Sequence, residues 1–115
     1  MAGLKIGDAL SVDASAVTTE GAEKTTIRWL IAERDGATKF HMRFFELEPG
    51  GKTPLHSHAW EHEVYIVDGN GTLTFEGEDH PFTGGMFIFV PEEAEHSFAN
   101  TGGGLLRFLC IVPAT

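Results

Sequence analysis

The sequence predicts an all-β protein, a jelly roll or a closed barrel. Turn-forming residues are frequent, with 14 glycines and 5 prolines among 115 residues, and they separate short apolar runs. About eight such runs follow one another at regular spacing with strand-like patterning. No stretch carries a long helical period. The length admits one domain of common size and no second. A hydrophobic fraction of 42% is ordinary for a chain with a real core, which excludes a disordered segment.

Taken in order, residues 1–24 are weakly patterned and read as an N-terminal arm with room for one short strand, leaving residues 25–115 as a single barrel domain. Residues 25–32 form a strand ended by Arg34-Asp35-Gly36-Ala37, where Asp-Gly signals a hairpin. Residues 39–48 form the next strand, closed by Pro49-Gly50-Gly51. A strand pair follows over 54–58 and 62–67, then a tight turn, Asp68-Gly69-Asn70-Gly71, into the alternating run 72–76. Residues 86–90 are continuously apolar and stop at Pro91, which has no N–H for a ladder. Strand 96–100 leads through Thr101-Gly102-Gly103-Gly104 to a last strand over 105–112.

Composition removes several functions. Eight basic against 17 acidic residues give a net charge of −9, and no basic stripe is present, so nucleic acid is not a partner. No apolar run reaches the roughly 18 residues a membrane span needs. The N-terminus lacks the continuous apolar core of a signal peptide, and one cysteine cannot close an internal disulfide. These features predict a cytoplasmic protein without a membrane partner.

Chemistry concentrates in the histidines. His56, His58 and His62 fall within seven residues, and His96 stands on a later segment. Neutral imidazole is a preferred ligand of transition metals, and two histidines two apart on a strand point to one face. His62 begins a run of the same parity, with Val64 and Ile66. Pairing a strand near residue 60 with one near 97 would bring His96 to the other three. His41 and His80 lie apart; His80 precedes Pro81 in a predicted loop and is expected to be solvated, while His41 could face either side of its strand.

The spacing carries a resemblance. Gly50, five residues, His56-x-His58, three residues, His62, six residues and Gly69 resemble the first motif of the cupin family. Gly85, five residues, Pro91, then His96, three residues and Asn100 resemble the second. Two positions depart: His62 stands where the family usually has glutamate, and Glu93 where it has glycine. The first departure is similar to a four-histidine subgroup of small single-domain cupins, in which histidine takes the glutamate's place as ligand. The second concerns turn geometry. The resemblance implies a cupin-type double-stranded β-helix holding one metal ion through His56, His58, His62 and His96. It also implies a homodimer, for which the apolar faces of strands 26–32 and 39–48 are the expected contact.

Five residues are candidates for the surrounding pocket. Arg43 interrupts an apolar strand, sharing parity with His41, Phe45 and Leu47; it either snorkels or anchors an anion such as a substrate carboxylate. Trp60, between His58 and His62, either rims the mouth or staples a turn. Phe98 shares parity with His96 and is expected in the cavity wall. Phe108 and Cys110 share one face and line the cavity if that face is inward; buried cysteine usually behaves as a small hydrophobe. Glu63 opposes His62 in strand parity, which disfavours it as a ligand.

Four imidazoles on a six-coordinate ion leave two places open, the mark of a reactive site. The expected function is that of a mononuclear metal-dependent enzyme, oxidoreductase and dioxygenase-like, acting on a small organic molecule. Its cofactor is one divalent transition-metal ion: manganese, iron, zinc, copper or nickel. A non-catalytic metal- or ligand-binding cupin and a metal-dependent isomerase or lyase are the alternatives, because fold alone does not choose the reaction.

Overall fold

A computed structural model describes residues 2–114. Nine strands and two single 3-10 turns follow in order: a turn at Ala9–Ser11, β1 Ser15–Ala16, β2 Glu23–Ile31, a turn at Glu33–Asp35, β3 Phe40–Lys52, β4 His62–Asp68, β5 Asn70–Phe75, β6 Glu78–Thr83, β7 Phe87–Val90, β8 His96–Asn100 and β9 Leu106–Pro113. The antiparallel sheet runs β6-β5-β8-β3-β9-β4-β7, with β2 on the free side of β3 and β1 on β2. Its two halves curl over one another, so β8 packs on β9: Phe98 stacks on Phe108 at 4.9 Å between ring centroids. This is the jelly-roll architecture that strand spacing predicts. Among the described residues, no helix is long and apolar enough to cross a membrane.

Period-two alternation decides which side chains enter the barrel. On β9, Leu106, Phe108, Cys110 and Val112 are buried while the residues between them are not. On β4, His62, Val64 and Ile66 are buried, and Glu63 and Tyr65 face out. Phe45 stacks on Phe108 at 5.1 Å, so β3, β8 and β9 share one aromatic core. Phe44, on the opposite face of β3, is also buried at 7% exposure; that face carries Glu46, which bridges Arg28 and Arg107.

Three local expectations need correction. Pro49-Gly50-Gly51 does not close β3. The strand runs to Lys52 through a bulge, with register passing from Thr25↔Leu47 to Glu23↔Lys52, and Gly50 adopts φ 83°. Beyond the bulge Lys52 pairs with Ala99 of β8, so one long strand joins both halves of the barrel. Residues 54–58 do not form a strand: only His56 pairs, in an isolated bridge with His96. Pro54 has no N–H to give a ladder, which agrees with that irregular path. Residues 78–83, read as loop around His80-Pro81, form β6. This strand lies at the sheet edge, the position where proline is tolerated, and His80 is exposed on it.

Gly69 marks the corner where the chain leaves β4 for the other half of the barrel. Its φ is 96°, and a Cβ there would sit 2.6 Å from the Leu105 carbonyl oxygen. Asn100 performs a comparable task by hydrogen bonding. Its buried Nδ2 donates to the carbonyls of Leu47 and Gly104, and its Oδ1 accepts from the Gly102 N–H, fixing the glycine-rich turn after β8 against β3.

Candidate metal centre

The histidines meet where the irregular loop after β3 crosses β8. Backbone bonds between His56 and His96 run in both directions, at 3.1 and 3.0 Å, and register the loop on the strand. His58 is held from the other side, its carbonyl accepting from the Glu93 N–H at 2.6 Å. Glu93 takes φ 65°, so the position where cupins usually place glycine has left-handed backbone here too. The loop after β7 therefore braces the histidine loop through a residue in a strained conformation.

One ring nitrogen from each of His56, His58 and His96 lies within 4.8 Å of the others. His62 stands outside that set, with its ring 4.8 Å from His58 and 5.1 Å from His96 between centroids. Hydrogen bonding selects the nitrogens that face the cluster. His96 Nδ1 lies 2.8 Å from the Ala94 carbonyl oxygen, which only a protonated Nδ1 satisfies, leaving Nε2 unprotonated with its lone pair free in the neutral ring. His62 Nδ1 is 3.2 Å from Cys110 Sγ and 3.3 Å from Arg43 Nη2, and its Nε2 is buried with no hydrogen-bond partner. Trp60 stacks on His58 at 4.5 Å and 2°.

Burial favours the neutral form of His56, His58 and His62. Burial is the main force lowering His58 to about 4, with His56, His96 and Arg43 adding repulsion. Burial, then Arg43, lowers His62 to about 3, and His56 falls below its usual value for the same leading reason. Neutral imidazole is the form that ligates a metal. An orphaned, buried Nε2 beside three converging nitrogens therefore fits a transition-metal ion, and the all-nitrogen donor set suits zinc, copper, iron and nickel.

The cluster opens into a cavity of about 370 Å³. All five pocket candidates line it: Arg43, Trp60, Phe98, Phe108 and Cys110. Phe98, Phe108 and Cys110 are buried, whereas Trp60 is 41% exposed. Arg43 faces inward, with its guanidinium 5.6 Å from the Trp29 ring centroid and 5.1 Å from that of Phe45. Burial raises the Cys110 thiol, with Arg43 opposing, so the sulfur is a neutral acceptor rather than a ready ligand. His41 stays apart from the cluster, bonded through Nε2 to the Ala37 carbonyl.

Part of the wall escapes the sequence reading. Val17, Thr18 and Thr19 of the N-terminal segment line the cavity, as do Ile27 and Trp29 of β2. The alternation of Ile27 and Trp29 marks a shared face. The register that sets Trp29 opposite Arg43 is a tertiary fact.

The fold and the site define an antiparallel barrel with converging imidazoles at the edge of an apolar cavity. Residues 43–112 match the cupin domain family, and the chain belongs to that family. It is similar to the polyketide cyclase RemF from Streptomyces resistomycificus, at 36% identity and TM-score 0.92, over 98% of this chain and 81% of that one. An oxalate-binding protein of Thermotoga maritima is 37% identical over 68 residues, 58% of this chain and 56% of that protein. The chain thus spans little more than half the length of that relative. The 1-methylthio-D-xylulose 5-phosphate methylsulfurylase of Rhodospirillum rubrum is 29% identical over 105 residues, 90% of this chain and 67% of that protein.

Proposed function

We propose that this chain is a mononuclear metal-dependent enzyme acting on a small organic molecule, with His56, His58, His62 and His96 as the four ligands of one divalent ion. The observation that carries the reading is the convergence of three histidine nitrogens within 4.8 Å beside the unpartnered, buried Nε2 of His62. A four-histidine ligand set would make the chain one of the four-histidine cupins, and the position of His62 beside the other three rings supports that reading.

When bound, such an ion supplies Lewis acidity or, if redox-active, access to dioxygen. The chain's own residues do the rest. Phe98 and Phe108 close the cavity floor to water, and Trp60 holds His58 by stacking. The Ala94 carbonyl and Cys110 Sγ hold the Nδ1 protons of His96 and His62, so that both rings present Nε2. An ion held by four protein ligands beside this aromatic cavity would have room for a substrate and dioxygen together, which favours oxidative, dioxygenase-like chemistry. A second reading, Lewis-acid activation without oxidation, is favoured by the likeness to a polyketide cyclase over 98% of this chain.

The deciding experiment is the metal content of untagged protein purified without added metal, measured by plasma mass spectrometry beside His58→Ala. About one iron, copper, nickel or manganese ion per chain, lost in the variant, supports the oxidative reading. Zinc alone transfers the weight to Lewis-acid chemistry. Metal in neither sample overturns the metal-centre reading altogether. The same preparation tests a homodimer, since β4 and β7 expose Tyr65, Val67, Phe87 and Phe89, across β9 from the strands first expected to pair. Sedimentation as a clean monomer would defeat it.

A further inference from the structure

We infer that the cavity takes a small organic anion whose acidic oxygen, a carboxylate or an enolate, docks on Arg43 while its flat apolar body lies against the aromatic walls. This deepens the function proposed above by naming the substrate class, and it rests on that reading for what happens to the anion once bound.

Arg43 is a cation without a counter-charge. The ion pairs among the described residues are Lys5–Asp35, Arg28–Glu46 and Arg107–Glu46, and none involves it. Strand parity explains why. Glu46 and Glu63 lie on the outward faces of β3 and β4, so the inward faces around Arg43 offer rings, aliphatic groups and Cys110. Its Nε is buried with no hydrogen-bond partner, and Nη2 meets only Cys110 Sγ at 3.0 Å and a ring nitrogen of His62 at 3.3 Å. Neither carries a negative charge, and the His62 nitrogen is an acceptor only while its proton sits on Nε2. A half-buried guanidinium among Trp29 and Phe45, its buried Nε unmet, is an unfavourable arrangement that a bound anion relieves. In a chain of net charge −9, this cation is placed against the overall trend of its surroundings.

The walls choose among anions. Val17, Ile27, Trp29, Phe45, Phe98 and Phe108 surround the site with apolar surface. A compact inorganic anion would lose its hydration there and gain no contact with the rings in return. A carboxylate or enolate on a flat apolar body matches the planar fork of the guanidinium and fills the remaining space by contact with the rings.

The test is titration of the full chain, metal-loaded and metal-stripped, with benzoate, followed by calorimetry and tryptophan fluorescence. Benzamide supplies the neutral analogue and inorganic phosphate the anion without an apolar body. Benzoate should bind both preparations at least tenfold more tightly than either control. Arg43→Met should weaken benzoate roughly tenfold to hundredfold and leave benzamide unchanged. Arg43→Lys, which keeps the charge and loses the fork, should fall between. Melting curves check that both variants fold, and Arg43→Lys alone carries the test if Arg43→Met does not. Equal affinity for benzoate and benzamide, tighter binding of phosphate, no binding of benzoate, or an unaffected Arg43 variant would each overturn the proposal. Arg43-dependent binding by protein that takes up no metal would sustain it while removing the metal-dependent reading, so the two failures are distinguishable.

Discussion

Replacing Cys110 with valine removes the acceptor behind His62 with little change of volume. Its consequence falls on one state of the protein only. With the metal site empty, His62 can carry its proton on Nε2 and accept from Arg43 Nη2 at 3.3 Å, so Nδ1 does not need the sulfur. Ligation through Nε2 forces the proton onto Nδ1. Nδ1–H and the Arg43 N–H then face each other as two donors, and Cys110 Sγ, 3.2 and 3.0 Å away, is the acceptor they share. Removing it leaves a buried donor unmet in the metal-bound state, a cost of about 1–3 kcal/mol. At 1.4 kcal/mol per tenfold, the metal dissociation constant rises roughly 5- to 150-fold, in line with the effect of losing a partner behind a ligating histidine. Competition titration of zinc against a chelator measures it. Unfolding of the metal-free variant should shift by less than about 1.5 kcal/mol, the ordinary cost of a volume-conserving core exchange. Cys110→Ser, which restores an acceptor, should recover most of the affinity. Parent-like zinc binding by Cys110→Val would refute the assignment of His62 Nε2 as a ligand held by this contact.

Three further outcomes are expected. In the metal-free protein His56, His58 and His62 are held below the ordinary 6.5, His58 at about 4 and His62 at about 3. The unfolded chain therefore binds more protons below 6.5, so stability is full above that pH and declines as pH falls towards 4; urea midpoints across this range measure it, and a flat profile would contradict the burial of neutral imidazoles. Glu93→Gly removes a left-handed conformation that costs a side-chain-bearing residue about 1 kcal/mol, partly offset by the added freedom of the unfolded chain, for a net gain of about 0.5 kcal/mol; a loss of stability in thermal unfolding would count against strain at that turn. Phe108→Ala, at a residue 1% exposed and stacked between Phe45 and Phe98, should destabilise by about 3–5 kcal/mol in denaturant titration.

What was legible in the sequence was what alternation carries. His62, Val64 and Ile66, then Phe108 and Cys110, announce shared faces by spacing alone; that the second face is inward is decided by the fold, which buries Phe108 and Cys110 in the cavity wall with the histidines. What alternation does not carry was missed. β6 reads Glu-Asp-His-Pro, a polar run with a proline, because an edge strand needs to bury only Phe82 and to pair on one side. Residues 54–58 read as a strand because His-x-His mimics one. In the fold the two rings come to 4.1 Å across a loop that pairs with β8 through His56 and is braced at His58 by the Glu93 N–H. The contribution of residues 16–19 to the cavity has no local signature at all, as it depends on β1 crossing onto β2 at Ser15↔Ile27.

The balance of charge in the cavity follows from one exchange. Where cupins usually supply a glutamate, this chain has His62, which contributes a donor nitrogen and no negative charge. Cys110 cannot replace the missing anion, because burial raises its thiol and keeps the proton on sulfur. Glu63, the adjacent carboxylate, points out of the barrel by strand parity. Arg43 adds a fixed positive charge against the same ring. An ion seated among these histidines would therefore meet no compensating charge from the protein, and the barrel's apolar lining would screen that excess far less than water does. The charge that completes such a site has to arrive with the ligand. Binding of the ion and binding of an organic anion are then mutually supportive, each lowering the electrostatic cost that the other leaves in place.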